Sequence, residues 1–239
     1  MVLIGSVNYY TGQAYPIKLI TKLAHQYGSK VGFDLAHGAG NLKLNLHDDG
    51  PDFAVWCSYK YLNSGPGSLA GCFVHERHAE SYDLPRFIGW WAHDKNNRFK
   101  MSPQLELMSG AEGWQLSNPP ILPMACMMAS LELFSKAGMD SLRKKSLDLS
   151  SELISLLQSL NHPKLNILTP FNEDERGSQV SIQIRNGDKS IYQKITQQRI
   201  IADWREPDVI RIAPVALYNT FEEVYQFYET LKNILQDYG

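Results

Sequence analysis

The chain has 239 residues, with 23 basic and 25 acidic side chains and a formal net charge of −2 at pH 7. This balance excludes the broad positive field on which nucleic-acid-binding proteins depend. No apolar run approaches the roughly 18 residues that a membrane span needs, and the opening MVLIGSV becomes polar too soon for the core of a signal peptide. We therefore expect a soluble, cytoplasmic globular protein with one large or two smaller domains.

Up to about Asn118, short apolar runs alternate with glycine-rich turns. The amphipathic segment from Ile17 to Tyr27 predicts a helix. Three runs predict strands: KVGFD ending at Asp34, DFAVWCSY from Asp52 to Tyr59, and LAGCFVH from Leu69 to His75. This pattern is typical of a sheet with helices on its faces.

From Ile121 the pattern becomes helical for about forty residues and ends at His162 and Pro163. Within it, apolar side chains recur on one face at Leu149, Leu153, Leu156 and Leu160. The following strand-like runs are NILTP (Asn166 to Pro170), SQVSIQIR (Ser178 to Arg185), RIIADW (Arg199 to Trp204) and VIRIAP (Val209 to Pro214), with a helix-like segment near Ser190 to Gln198. Thr220 and Glu223 form the capping-box pattern of a closing helix.

Lys60 is the first candidate catalytic group, because it follows an apolar strand and precedes a glycine-rich turn. Asp34 ends an earlier strand 26 residues before it, and His37 follows Asp34 by three residues. Open α/β folds bind ligands where neighbouring strands end. Taken alone, a lysine or a histidine after a strand is explained at least as well by an ordinary surface or packed position.

An amine and a carboxylate at neighbouring strand ends are what a pyridoxal phosphate site requires. A lysine amine binds the aldehyde of the cofactor covalently, and a carboxylate keeps the pyridine nitrogen protonated so that the ring accepts electrons. Lys60 and Asp34 fit these two roles.

Six motifs, in this order along the chain, carry a resemblance to one family. They are YYTGQ at Tyr9, GFDLAHGAGN at Gly32, WCSYKYLN at Trp56, GWW at Gly89, SNPPIL at Ser117 and RIAPVALYN at Arg211. Together they resemble kynureninase, a pyridoxal phosphate-dependent enzyme of the aspartate-aminotransferase fold type. The resemblance runs over almost the whole chain.

The resemblance implies an α/β fold in which an incomplete, aspartate-aminotransferase-like large domain precedes a small C-terminal α/β domain. We place the large-domain part at residues 1–120, a connecting region of long helix at 121–162 and the small domain at 163–239. Enzymes of this type are about twice as long by resemblance, and their other half carries the loop that binds the cofactor phosphate. We therefore interpret the chain as the C-terminal half of a kynureninase.

Roles for individual residues follow from the same resemblance. The implied cofactor contacts are Asp34, His37, Tyr59, Lys60, Trp90 and Asn118. Tyr59 bonds the phosphate in this interpretation, while Trp90 and Asn118 reach the cofactor region across the interface of a homodimer. The implied substrate contacts are His93, Asn118 and Arg211. No metal ligand is implied.

Two of these residues also have an interpretation from the sequence itself. Arg211 can grip a carboxylate through two parallel hydrogen bonds, and the alternative is a structural ion pair with Asp208 or Glu206. The adjacent tryptophans Trp90 and Trp91 are costly to expose, so we expect an interface or a pocket there.

The implied reaction is hydrolysis of a carbon–carbon bond in a ketone. Cleavage of the Cβ–Cγ bond of L-kynurenine, or of 3-hydroxykynurenine, gives anthranilate or 3-hydroxyanthranilate together with L-alanine, in tryptophan catabolism and NAD biosynthesis. We expect this chain alone to turn the substrate over poorly, because phosphate binding at a loop or helix N-terminus contributes much of the cofactor affinity.

Three other interpretations of the sequence remain open. The chain could be a catalytically incomplete fragment that associates with a full-length subunit. A cysteine desulfurase-type lyase is less favoured, since Cys57, Cys72 and Cys126 lie in apolar segments and are expected to be buried packing residues. The HERH at His75 lacks the spacing of a helical zinc motif and is expected to be a solvated turn.

Overall fold

The computed structural model describes residues 1–236 of the chain. The chain forms two compact units, which are described separately. Unit one comprises Met1–Ser6, Pro16–Ala39 and Leu44–Leu133, and unit two comprises Val7–Tyr15, Gly40–Lys43 and the described residues from Phe134 onward. None of the helices in the described range combines the length and the apolar character required to cross a membrane.

Unit one is built on a four-stranded sheet. Its strands, in spatial order, are β1 (Val2–Gly5), β2 (Val31–Asp34), β3 (Phe53–Cys57) and β4 (Ala70–Val74). The first three run parallel, and β4 pairs antiparallel with β3. The three strands predicted from the sequence are confirmed, whereas β1 was missed.

The helices of unit one are α1 (Ile17–Gln26), α2 (Leu46–Asp49) and most of α3 (Ile121–Ala137). The predicted amphipathic helix is confirmed as α1. Between β4 and α3 the chain forms only short 3₁₀ turns, at Glu76–His78, Trp90–Ala92, Arg98–Lys100 and Gly110–Trp114.

One face of this sheet forms the core of unit one. Val31, Phe33 and Ala54 are fully buried and cluster with Ile17 of α1. Short β-branched and aromatic side chains suit such a pleated, covered surface, which is why the apolar runs form strands here.

The opposite face of the sheet and helix α3 expose apolar side chains. Leu3 and Val55 on the sheet and Ile121 on α3 are all exposed. Cys72, paired with Val55 across β3 and β4, shares that exposed face, and Cys126 is exposed on α3. The prediction that these two cysteines are buried packing residues is therefore wrong.

Asp52 fixes the N-terminal end of the sheet through its side chain. The buried carboxylate accepts hydrogen bonds from the backbone N–H of Val31 (2.7 Å), from Nε2 of His25 (2.9 Å) and from Nε2 of His78 (2.6 Å). Burial alone raises the pKa of Asp52, but the bonds from the two histidines, the Val31 N–H and the nearby Lys30 outweigh it and hold the pKa well below the usual range.

The backbone of Asp52 ties the same strands together. Its N–H donates to the carbonyl of Val31 (2.9 Å), and its carbonyl accepts from the N–H of His75 (3.0 Å). The HERH segment is thus not a solvated turn, because His75 is buried and His78 bonds Asp52. Among the described residues, no cluster of histidine, cysteine and acidic side chains could hold a metal ion.

Unit two is built on a second four-stranded sheet, antiparallel throughout. Its strands, in spatial order, are β5 (Leu165–Ile167), β6 (Val180–Ile184), β8 (Val209–Ile212) and β7 (Asp203–Arg205). Its helices are α4 (Met139–Ser159), α5 (Lys189–Gln197) and α6 (Phe221–Gln236). Each of the four predicted strand-like runs overlaps one of these strands.

Two predicted elements, the long helix and the strand RIIADW, are each cut short at one backbone position. The predicted long helix is interrupted at Gly138, whose φ of 76° favours glycine. The run RIIADW is extended only from Asp203, because Arg199 has a φ of 62° just after the end of α5. A left-handed residue at that point ends the helix and delays the strand.

Helices α4 and α6 close the core of unit two. Leu149 and Leu153 of the predicted α4 stripe are fully buried, and Leu231 of α6 is buried with them. The capping box is confirmed: the Thr220 N–H donates to Oε2 of Glu223 (2.8 Å), and the Glu223 N–H donates to Oγ1 of Thr220 (3.2 Å).

Replacement of the Asp52 carboxylate tests how far the unit-one sheet depends on it. We predict that Asp52→Asn lowers the free energy of unfolding by about 2–4 kcal/mol, because buried donors lose a charged acceptor. Denaturant unfolding measures this, with the exposed Asp83→Asn as a control that should change little.

The pH dependence of the same variant has a defined sign. Because the folded-state pKa of Asp52 is lowered, the stability from its carboxylate is fully present above the unfolded-state pKa of about 3.9 and is lost as the pH falls through the folded-state pKa. The difference between the original chain and Asp52→Asn should shrink over that acidic range. A difference that does not change there would contradict the assignment.

Candidate functional site

Lys60 lies in the turn between β3 and β4, three residues after β3 ends. The turn is held by two backbone bonds, from Ser64 N–H to the Ser58 carbonyl and from Asn63 N–H to the Lys60 carbonyl, both 3.0 Å. The lysine is half-buried, and its Nζ lies 5.5 Å from the ring centroid of the exposed Tyr59. It forms no ion pair with any residue that the structure describes.

Asp34 is the last residue of β2, and its side chain is exposed. Its Oδ1 accepts a hydrogen bond from the N–H of Ala36 (2.7 Å). Because β2 and β3 are parallel, with Asp34 opposite Val55, their C-terminal ends meet at one edge of the sheet. The structure therefore places Asp34 and the turn that carries Lys60 at the same edge, where open α/β sheets bind ligands.

His37 contacts the turn that carries Lys60. Its ring lies 6.1 Å from that of Tyr61, at an interplanar angle of 64°. Tyr61 directly follows Lys60 and is buried. A packed ring pair thus links the segment after Asp34 to the segment around Lys60.

Trp90 and Trp91 lie in a loop and pack against the guanidinium group of Arg98. Their ring centroids are 4.9 Å apart in an edge-to-face arrangement, and the guanidinium carbon of Arg98 lies 4.5 Å from the Trp91 ring and 5.6 Å from the Trp90 ring. Trp90 remains 48% exposed, and Phe99, whose ring lies 5.9 Å from it, and Met101 in the same loop are also exposed. The loop presents an apolar surface of the kind that interfaces use.

The hydrogen-bond partners of His93 and Asn118 lie in their own loops. Nε2 of His93 lies 3.3 Å from both the Gln104 carbonyl and the Glu106 N–H, within its own loop. Asn118 is exposed, with Oδ1 accepting from the Ser117 hydroxyl (3.2 Å). In the described part of the chain, no hydrogen bond or ring contact joins Trp90, His93 or Asn118 to Lys60.

Arg211 belongs to unit two, at the centre of β8. It lies opposite Ser181 of β6 on one side and opposite Asp203 of β7 on the other. Its NH1 donates to the carbonyl of Tyr9 (2.6 Å), and its NH2 donates to the Asp203 carboxylate. A cross-strand partner and a backbone carbonyl therefore both bind the guanidinium.

The ion pair of Arg211 differs from the alternatives named from the sequence. Its partner is Asp203, and the Asp208 carboxylate instead accepts from Nε2 of Gln183 (3.1 Å). Strand register decides this, because Asp203 stands directly across from Arg211. Nothing in local sequence spacing reveals that register.

The segment Tyr9–Thr11 forms a turn bound by three side chains of unit two. Nε2 of Gln179 donates to the Tyr9 carbonyl (3.0 Å), the Ser181 hydroxyl to the Tyr10 carbonyl (2.6 Å), and the Thr169 hydroxyl to the Thr11 carbonyl (2.6 Å). Gln179, Ser181 and Thr169 are buried. Three successive carbonyls are thus fixed, which the sequence motif YYTGQ did not reveal.

The same turn is shaped by Asn8 and Gly12. Oδ1 of Asn8 accepts from the N–H groups of Tyr10 (2.9 Å) and Thr11 (3.0 Å). Gly12 has a φ of 78°, and a Cβ at that position would stand 2.9 Å from the Gln179 carbonyl. Only glycine fits this conformation and this close approach without strain.

A family model and similar proteins agree on one relationship. The kynureninase C-terminal domain model matches residues 142–231. The kynureninase of Myxococcus xanthus (strain DK1622) is 57% identical over 97% of this chain and 54% of its own length, and that of Koribacter versatilis (strain Ellin345) is 50% identical over 95% and 54%. In sequence, this chain matches the C-terminal half of a kynureninase. It spans about half the length of the curated relatives that it matches.

Solved structures show the fold. The apo cysteine desulfurase of Thermococcus onnurineus NA1 matches with a TM-score of 0.82 at 17% identity, over 99% of this chain and 60% of that one. The cystine C–S lyase C-DES, solved with its product cysteine persulfide, matches with a TM-score of 0.82 at 22% identity, over 97% and 60%. A C-DES mutant carries glycine covalently linked to its pyridoxal phosphate cofactor. The expected aspartate-aminotransferase-like α/β fold is confirmed.

Proposed function

We propose that this chain is the C-terminal half of a kynureninase and contributes the residues of that half to the active site. The reaction is hydrolytic cleavage of the Cβ–Cγ bond of L-kynurenine or 3-hydroxykynurenine, which yields anthranilate or 3-hydroxyanthranilate and L-alanine. The observation that carries this proposal is the 57% identity to a kynureninase over 97% of the chain. The placement of Asp34 and Lys60 at one sheet edge supports it.

The donor set at this edge fits pyridoxal phosphate. Lys60 offers a half-buried primary amine, and Asp34 offers an exposed carboxylate at the end of the neighbouring strand. The Tyr59 hydroxyl and the His37 ring lie in the same two segments and suit the phosphate and the ring of the cofactor. When bound, pyridoxal phosphate supplies the electron sink for carbanion chemistry.

Each of the principal residues has one or two tasks in this proposal. Lys60 would hold the cofactor aldehyde through its Nζ and, as a free amine, would take the α-proton of the substrate as a base. Asp34 holds a proton on the pyridine nitrogen. Arg211, assigned by its resemblance to the family, binds the α-carboxylate through its planar fork.

The loop around Trp90 supports a homodimer in this proposal. Trp90, Phe99 and Met101 are exposed together, and aromatic and methionine side chains are enriched at protein interfaces. We assign Trp90 and Asn118 to the cofactor region of the partner subunit. His93 is assigned to the aryl ketone end of the substrate, and Asn118 is also assigned as a substrate contact.

A cysteine desulfurase activity has less support. Such an enzyme needs a reactive cysteine on a mobile loop. The exposed Cys72 lies within β4 and the exposed Cys126 within α3. The cysteine desulfurases of Thermococcus onnurineus NA1 and Escherichia coli share the fold with this chain at 17% and 16% identity, which carries no assignment of activity.

Chemical mapping tests the role of Lys60 without relying on turnover. The chain is incubated with pyridoxal phosphate, reduced with borohydride and digested, and the labelled peptide is sequenced. We expect the pyridoxyl group on Lys60, because its amine is at the sheet edge and has no described ion-pair partner. A label confined to another lysine, for example Lys43 beside Asp140, would sink the assignment.

Substitution of Arg211 tests substrate binding. We expect Arg211→Lys in the cofactor-loaded protein to raise the KM for L-kynurenine by at least about tenfold, since lysine cannot reproduce two parallel hydrogen bonds. Cofactor affinity should change much less. Equal losses of both would identify Arg211 as a structural ion-pair partner, and Arg185→Lys, at an exposed arginine just beyond β6, is the matched control.

Fluorescence of anthranilate tests the reaction itself. The chain is assayed with pyridoxal phosphate and L-kynurenine, alone and after co-expression with the N-terminal portion of the Myxococcus xanthus kynureninase that it does not match. We expect anthranilate from the combined sample, at a rate of the order of 10 per second if it resembles typical enzymes. A combined sample that binds the cofactor but releases no anthranilate would contradict the proposed reaction.

A further inference from the structure

Asp203 is placed by strand register to control the orientation of Arg211. The two residues stand opposite each other on β7 and β8, and the Arg211 side chain is only 12% exposed whereas that of Asp203 is 43% exposed. The guanidinium NH2 donates to Oδ2 of Asp203. The ion pair therefore lies at the boundary between the covered sheet and the solvent.

The Asp203 carboxylate is shared by two cations. NH2 of Arg205, on the same strand as Asp203, lies 3.0 Å from the same Oδ2 atom. One carboxylate therefore bridges two guanidinium groups, whose planar forks suit carboxylates.

The other end of the Arg211 guanidinium is fixed by the backbone. NH1 donates to the Tyr9 carbonyl (2.6 Å), which also accepts from Nε2 of the buried Gln179 (3.0 Å). Because the Tyr9–Thr11 turn is tied down at three carbonyls, its oxygen is a rigid support. NH1 of Arg211 thus donates to a fixed, neutral carbonyl, and NH2 donates to the charged Asp203 carboxylate.

We infer that Asp203 is a positioning residue for Arg211, which it holds ready for the α-carboxylate of the substrate. This inference rests on the proposed function. A free arginine side chain loses rotamer entropy when it binds. An arginine already oriented by Asp203 and by the Tyr9 carbonyl avoids part of that loss, so the carboxylate binds more tightly. Asp203 touches neither substrate nor cofactor in this role.

The test separates recognition of the carboxylate from everything else. In the cofactor-loaded protein that contains this chain, kcat and KM are measured with L-kynurenine, and the inhibition constant is measured for its decarboxylated analogue, which lacks the anion. For Asp203→Asn we expect KM to rise about fivefold to tenfold, kcat to change less than about threefold, and the inhibition constant of the analogue to stay unchanged.

Two further variants complete the design. Asp203→Glu keeps the carboxylate and should recover part of the lost affinity. Glu206→Gln removes an exposed acid just beyond β7 and should behave like the original chain. Thermal unfolding of each variant checks that the fold is retained.

The outcomes distinguish this inference from the proposed function. If Arg211→Lys weakens kynurenine selectively but Asp203→Asn behaves like Glu206→Gln, the positioning role is overturned and the function of Arg211 stands. If Asp203→Asn weakens kynurenine and the analogue equally, its role is structural and the inference is also overturned. If Arg211→Lys itself does not discriminate between the two ligands, the proposed carboxylate site fails.

Discussion

The hydrogen bonds of Asp52 set the strand pairing on which the candidate site in unit one depends. Asp52 directly precedes β3, and its carboxylate and its backbone N–H both bond Val31 at the start of β2. This fixes the register at the N-terminal end of the parallel pair. A slip of one residue would turn every side chain of a strand to the other face, so the position of Asp34 at the far end of β2 follows from this contact.

A buried carboxylate is a costly way to fix a register. It is stable here because His25, His78 and the Val31 N–H satisfy it, with Lys30 nearby. The edge of the sheet that carries the candidate site has the opposite character. Asp34 is exposed and Lys60 is half-buried without a described ion-pair partner. The Asp52 carboxylate is therefore paired at one end of β2 and β3. The Asp34 carboxylate and the Lys60 amine lie at the other end, where a ligand can reach them.

Sequence patterns predicted the elements that depend on local periodicity. Alternation and apolar runs gave β2, β3 and β4, the 3.6-residue period gave α1, and the capping box marked the start of α6. Strand β1 was missed because VLIG is a short apolar run with no alternation. Cys72 was misjudged because the sequence does not reveal which face of a strand is covered.

The residues of the candidate site also differ in how far the sequence predicts their contacts. Asp34 and Lys60 could be placed at one edge from the order of strand ends alone. The partners of Asp52 and Arg211 could not, because His25 and His78 lie 27 and 26 residues from Asp52, and the Tyr9 carbonyl lies 202 residues from Arg211. Such contacts depend on tertiary packing, and nothing in the sequence distinguishes these partners from other polar residues.

A crystal structure of the protein with pyridoxal phosphate bound tests most directly whether Asp34 and Lys60 together hold the cofactor. The predicted result is continuous density between Nζ of Lys60 and the cofactor aldehyde carbon, with the pyridine nitrogen within hydrogen-bonding distance of the Asp34 carboxylate. Density joined to a different lysine, or a ring whose nitrogen faces away from Asp34, would contradict it.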